Sequence, residues 1–303
     1  MPVEADAGAD SIKTNLQNNL FVKRKDEKML KRTITAAWAM AIFIPICYFS
    51  NTIVFPIAMA VAAFIAAYEM VGCCGVRKNL SVSIPSCLIS AAVPIIPWFT
   101  DKSTITIMLS CYLVYLILLF TTIVFSKGKL DYTLVASAFM GVLYTSLSFT
   151  CIVMLREAGD YLYLLVFVGP WVSDIFAYLC GRLFGKHKLI PEVSPKKTIE
   201  GSVGGIVFAA IAFIVYGIII KTWFNADVSF NMIAMAVVGA VISVIAQIGD
   251  LAASAIKRRF DVKDYGNLFP GHGGVLDRFD SVLLTAPVLY IISTIPYVAE
   301  KMI

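Results

Sequence analysis

Charge is scarce in this sequence. Asp, Glu, Lys and Arg make up 15% of its 303 residues, against about a quarter in a soluble domain. So few charges cannot clothe a water-facing surface, which excludes an ordinary soluble domain. Histidine is nearly missing, with two in the chain, and a His-rich metal site is excluded with it. The seven cysteines form no Cys-x-x-Cys pair, and Cys73 and Cys74 adjoin without a His partner. They read as small buried hydrophobes rather than as a zinc or redox centre. No repeat of two halves is visible, which argues against an inverted-repeat transporter. The net charge of +5 is no nucleic-acid footprint, because the basic residues gather at the edges of apolar runs. No nucleic-acid partner is expected.

What the chain has in excess is hydrophobic residues, at 59%. Apolar runs of about twenty residues recur, each long enough to cross a hydrocarbon core of roughly 30 Å. They predict spans at 33–49, 52–71, 83–100, 104–125, 132–154, 161–181, 203–221, 230–252 and 281–299. The expected fold class is therefore an all-α, polytopic integral membrane protein with about nine transmembrane helices. Residues 1–30 read as a polar, basic and disordered tail. Residues 31–160 read as N-terminal membrane helices, and 161–303 as C-terminal helices carrying the chemistry. No small-residue cleavage site follows the first apolar run, so that run reads as a retained helix.

Basic residues fix an orientation. With the N-terminus in the cytoplasm, the inside receives the tail, Arg77, Lys78, Lys127, Lys129 and two loops. One loop carries Arg182, Lys186, Lys188, Lys196 and Lys197. The other carries Lys257, Arg258, Arg259, Lys263 and Arg278. The outside receives Lys102, Arg156, Lys221 and Lys301. A split of about twenty-one to four is a strong positive-inside bias. The expected location is a bacterial-type cell membrane, with both basic loops facing the cytoplasm.

The densest chemistry runs from Gln247 to Asp280, between two apolar runs. Asp250, Asp261, Asp264, Asp277 and Asp280 stand there beside Lys257, Arg258, Arg259, Lys263, His272 and Arg278, among Gly266, Gly271, Gly273 and Gly274. Carboxylates hold hard cations such as Mg2+, shared with phosphate oxygens. Lys and Arg neutralise phosphates, and glycines let a backbone approach one closely. Metal, phosphate and membrane together are the reading these residue types support.

Three blocks carry a resemblance. The first is Ser254-x-Ile256-Lys257-Arg258, Lys263-Asp264-x-Gly266 and Phe269-Pro270-x-His272-Gly273-Gly274-Val275-x-Asp277-Arg278-Phe279-Asp280. The second is Trp171-x-x-Asp174-x-x-Ala177-Tyr178. The third is Ser194-Pro195-Lys196-Lys197-Thr198-x-Glu200-Gly201. Together they resemble the phosphatidate cytidylyltransferases, or CDP-diacylglycerol synthases. The likeness covers the C-terminal half; the N-terminal half shares hydrophobic character alone.

The resemblance implies transfer of CMP from CTP to phosphatidic acid in the bilayer, with Mg2+ as cofactor, alone or beside a second cation. A homodimer is among the assemblies this admits. It implies metal on Asp250, Asp277 and Asp280, with Asp277 expected in a wet loop. Lys257 and Arg258 would serve the reacting phosphates. Ser194, Lys196, Lys197, Thr198, Lys263 and Arg278 would hold substrate phosphates, and Gly271, Gly273 and Gly274 would let the loop close on the nucleotide. His272 reads as a phosphate or base contact, and Ser254 as a metal or phosphate contact one turn past Asp250.

Blander readings stand beside these. Asp250 could simply pair with Lys257 or Arg258, and Asp280 could cap a helix. Asp174 divides between a substrate contact and a pair with Arg182. Glu69 reads as a snorkelling residue or a partner for a basic loop. Lys196 and Lys197 could sit on anionic lipid, and Gly201-x-x-x-Gly205 suits close helix packing. A transporter and a CTP-dependent lipid kinase are the rival functions.

Overall fold

Apolar length accounts for most of the helices, and a polar residue at the right place starts four of them. The structure, a computed structural model, describes residues 33–35, 37–224, 231–269, 271 and 273–295. The expected N-terminal tail, and His272, lie outside the described residues. The helices are α1 (Thr33–Tyr48), α2 (Val54–Cys73), α3 (Leu80–Ala92), the short α4 (Ile96–Phe99), α5 (Thr104–Phe125), α6 (Tyr132–Ala158), α7 (Leu165–Phe184), α8 (Ile199–Trp223), α9 (Met232–Arg259) and α10 (Leu276–Thr294). Four begin at a residue whose side chain accepts a backbone N–H of the first turn: Asn79 for α3, Asp131 for α6, Thr198 for α8 and Asn231 for α9. These are the expected cap types.

Among the described residues, seven helical stretches are long and apolar enough to cross a membrane. Each expected span overlaps a helix. The first is shorter than a span needs, and α10 has 19 residues with Asp277, Arg278 and Asp280 in its first turns. The third span is broken. Pro94 and Pro97 divide it at a 3-10 turn, Val93–Ile95, between α3 and α4, because proline removes a helical N–H and clashes with the preceding turn.

Boundaries near the polar stretches move. α9 runs on to Arg259 and α10 begins at Leu276, so Lys257 and Arg258 are helical rather than in a loop. Hydropathy ends where apolar residues end; backbone hydrogen bonding continues past that point. The all-α expectation needs one addition. Residues 188–198 form an antiparallel hairpin of β1 (Lys188–Ile190) and β2 (Ser194–Thr198), with Lys188 opposite Thr198.

One core cluster joins both halves of the chain, running from Phe55 and Met70 through Phe149 and Phe167 to Leu283 and Leu289. α10 packs against α9, α7, α6 and α2. One end of the bundle is tied by Arg156 donating to Ser50 (3.0 Å), Tyr163 to the Cys47 carbonyl (3.1 Å) and Tyr216 to the Tyr161 carbonyl (2.7 Å). The chain's signature residues collect at the other end. The outer face of α5, with Leu109, Leu113, Ile117 and Phe120 exposed, is what a helix facing lipid tails would carry.

Candidate active site

A hollow of about 400 Å³ opens at that end. α7 contributes Asp174 and Arg182, the hairpin contributes Ser194, Lys196 and Lys197, and α9 contributes Asp250. Small residues bring these elements together. A Cβ on Gly205 would stand 2.9 Å from the Ser173 carbonyl, and one on Gly201 would stand 2.5 Å from the Ala177 carbonyl. α7 and α8 therefore touch backbone to backbone, as the Gly-x-x-x-Gly spacing suggested. Below the hollow a polar seam crosses three helices. Ser173 and Ser243 are 2.7 Å apart, and Gln247 donates to the Ser202 carbonyl at 3.2 Å while accepting from the Ser202 hydroxyl. Beside it, Glu200 accepts from the His187 backbone N–H at 3.2 Å, with the His187 ring 2.7 Å away. That fastens the hairpin to α8.

Lys197 is the cation of this hollow that an acid holds. Its ammonium lies 2.6 Å from an Asp250 oxygen and meets no other acceptor among the described residues. One of its three N–H donors meets Asp250, which leaves two for a further acceptor. Asp250 accordingly pairs with Lys197, not with Lys257 or Arg258. Asp174 accepts from the Ser281 hydroxyl at 3.4 Å, joining α7 to α10, and makes no ion pair with Arg182 among the described residues. Thr198 lines the hollow, but its hydroxyl oxygen is engaged by the Gly201 N–H at 3.2 Å as the cap of α8.

A second knot lies where α9, α10 and the loop between them meet. Asp277 is buried, in the first turn of α10. The wet-loop expectation is corrected here: one oxygen accepts from Lys257 (3.0 Å), the other from the Tyr265 N–H (2.8 Å) and the Gly274 N–H (2.9 Å). Tyr265 is buried too, its hydroxyl donating to the Ala253 carbonyl at 2.9 Å, and burial pushes that phenol well above its ordinary pKa. Gly271 and Gly273 take φ of +78° and +83°, a turn that side chains resist, and the Phe269 N–H bonds the Gly273 carbonyl at 2.8 Å across it.

Glu69, at the far end of α2, is 4% exposed. One oxygen accepts from the Val275 N–H at 3.0 Å, the other from the Leu276 N–H at 2.9 Å. A Cβ on Gly266 or Gly274 would run into this carboxylate. The space beside Gly274 is therefore taken by Glu69. Sequence reasoning gave Glu69 a peripheral part. The available signal was an acid in an otherwise apolar run with no basic residue one turn away.

Asp280 stands between the two groups. Its side chain accepts from the Ser281 N–H at 2.9 Å, and its backbone carbonyl faces Gly249 of α9 and the Tyr144 hydroxyl. Asp250 is within electrostatic range of both Asp280 and Asp174. Among the described residues, no three His, Cys, Asp or Glu side chains are grouped as a metal would need. Asp277 and Asp280 share α10, Asp250 of α9 lies within reach of Asp280, and the three form no common cage. Arg258, Lys263 and Arg278 are exposed and make no ion pair among the described residues. Ser254 is half-buried on α9. Basic side chains, an ammonium with donors to spare and acids able to hold a cation, at one end of an apolar bundle, can gather anionic groups beside a membrane surface.

Known proteins share this chain's pattern. The family model described as Cytidylyltransferase family matches residues 30–295. A Staphylococcus haemolyticus protein named phosphatidate cytidylyltransferase is 35% identical over 266 residues, covering 87% of this chain and 98% of that protein. Proteins of the same name from Staphylococcus saprophyticus and Staphylococcus aureus are 32% identical over 271 residues and 33% over 267, with the same coverage. The match extends through the N-terminal helices, where hydrophobic character alone was the expected likeness.

Proposed function

The chain belongs to the cytidylyltransferase family, and from that premise we propose that it transfers CMP from CTP to phosphatidate, giving CDP-diacylglycerol and pyrophosphate. The observation that carries this reading is Lys197. A buried ammonium paired with Asp250 and with donors to spare, in a hollow with Lys196 and Arg182, is suited to a polyphosphate.

The reaction asks little proton chemistry of the protein. A phosphatidate oxygen forms a new bond to the α-phosphorus of CTP. The bond from that phosphorus to the bridging oxygen breaks, and its electron pair leaves with pyrophosphate. The nucleophile is already ionised, so holding two polyanions in line is the main task. Lys196, Lys197 and Arg182 would hold the nucleotide phosphates from the hairpin side. Lys257, Arg258, Lys263 and Arg278 would serve from the loop side.

The donor set fits Mg2+. One or two carboxylates suffice for this ion when substrate phosphates and water complete its shell, and Asp250 and Asp280 supply two hard oxygen donors on adjoining helices. Asp277 joins them only if Lys257 leaves its oxygen. When bound, the cation supplies charge neutralisation on the phosphates, alone or with a second ion. The basic residues around the site support a cytoplasmic face. We extend the reading to a homodimer, for which the apolar outer faces offer area; native mass spectrometry of the solubilised protein tests it.

The test is label transfer by purified protein given phosphatidate micelles and CTP. Label from the α-phosphate entering the lipid, lost on chelation and restored by Mg2+, is the expected result. Label entering only from the γ-phosphate would identify a lipid kinase and overturn the proposal. So would absence of turnover with solute flux across proteoliposomes.

A further inference from the structure

Two of the helices flanking the site supply their own start. α8 and α9 cap themselves with Thr198 and Asn231. α10 does not. Its N-cap is Val275, which has no side chain able to accept a hydrogen bond. Its first N–H groups would be orphans in a dry core, and α10 is the helix that carries Asp277 and Asp280.

The missing acceptor comes from α2, 206 and 207 residues earlier in the chain. Glu69 takes the Val275 and Leu276 N–H groups with one oxygen each, and its charge faces the positive end of the α10 dipole. Gly266 and Gly274 leave the space that its carboxylate fills. Asp277 takes the Tyr265 and Gly274 N–H groups of the same loop. The loop is thus clipped at both ends by acids, one on α10 and one on α2. Arg77, just beyond α2, keeps that end of α2 in place. Its guanidinium lies 4.2 Å from the Tyr68 ring centre and donates to the Tyr68 carbonyl at 3.3 Å.

We infer that Glu69 is a positioning residue for the transfer reaction: from the N-terminal helices it fixes where α10 begins, and so where Asp277 and Asp280 stand relative to Asp250. Glu69 lines neither the hollow nor its rim, so it acts through the loop rather than on substrate. The inference rests on the proposed transferase reading. It gives the N-terminal helices a part in the chemistry.

The experiment compares wild type with Glu69→Gln and Glu69→Ala, as full-length protein in detergent. It reads label transfer from α-labelled CTP and backbone hydrogen exchange over 265–277. Gln keeps the size but turns an NH2 toward one of the two N–H donors. The expected result for Gln is a fall in kcat of about 100-fold, the scale set by loss of reactive alignment, with KM for CTP changed less than about threefold. Exchange at 265–277 should quicken at least about tenfold while peptides from α5 and α8 keep their rates. The Ala variant should do the same more severely. Transfer within about threefold of wild type, or slower transfer with unchanged exchange at 265–277, overturns the inference. So does faster exchange across every helix, which would make Glu69 a general stabiliser. If wild type itself transfers no label, the functional reading fails. The exchange pattern then still decides whether Glu69 clips α10.

Discussion

At the scale of single residues, the structure separates groups that look alike in sequence. Lys196 and Lys197 are neighbours, but Lys196 is exposed and Lys197 is half-buried against Asp250. Lys196→Ala should raise KM for CTP only several-fold, since a solvated charge contributes little. Lys197→Ala should lower kcat/KM by about 100-fold, because a charge-assisted phosphate contact and the partner of a carboxylate go together. Steady-state kinetics of the two variants decide it; equal effects would make the hairpin a plain lipid-facing basic cluster. Asp277 gives the second residue-scale prediction. Its carboxylate holds Lys257 and two loop N–H groups, so Asp277→Asn cannot leave the fold untouched. Loss of a partner from a largely buried ion pair costs about 3 kcal/mol. Both a lower unfolding midpoint and a loss of transfer beyond about 100-fold are expected from thermal melts and label assays. Unchanged stability with full activity would refute the bonding described.

At the scale of elements, the sequence was most legible where apolar length decides, and least where polar ends do. Span positions came from hydropathy, since a run of about twenty apolar residues has few other homes. The breaks at Pro94 and Pro97 follow from the missing N–H. By contrast the hairpin at 188–198 is short and polar, and no periodicity marks it. The partners of Asp250 and Asp277 were not legible either. A local reading pairs an acid with the basic residue one turn away; Lys197 reaches Asp250 from another element, 53 positions earlier. The glycines divide the same way. The spacing of Gly201 and Gly205 announced helix packing, whereas the purpose of Gly266 and Gly274 depended on a residue in the other half. The α7–α8 contact gives the prediction at this scale. A side chain on Gly205 would meet the Ser173 carbonyl at 2.9 Å, on a helix bearing Asp174. Gly205→Leu should push α8 from α7, lower the unfolding midpoint by about 5 °C or more and weaken CTP binding. An unshifted melt would mean that the two backbones do not approach so closely.

At the scale of the whole molecule, the open question is which side of the membrane the hollow faces, and the geometry makes it answerable. The hairpin, the ends of α2, α7 and α9, and the start of α10 lie at one end of the bundle. The α4–α5 turn with Lys102 lies at the other, because α5 runs the length of the bundle to Thr122, whose hydroxyl contacts the Ser81 carbonyl at the start of α3. Basic residues crowd the first end, and the positive-inside bias is the ground for proposing that it faces the cytoplasm. The proposed use of CTP asks for the same orientation on separate grounds. The native cysteines are buried or half-buried, so an impermeant maleimide meets little background. Lys188, in the exposed part of the hairpin, and Lys102 are both exposed and outside the hydrogen-bonded knots. Lys188→Cys should label in inside-out vesicles and stay unlabelled in intact spheroplasts, and Lys102→Cys should do the reverse. The opposite pattern would put the hollow where its nucleotide is absent. A transferase reading could not survive that, however well Lys197 and Asp250 suit a phosphate chain.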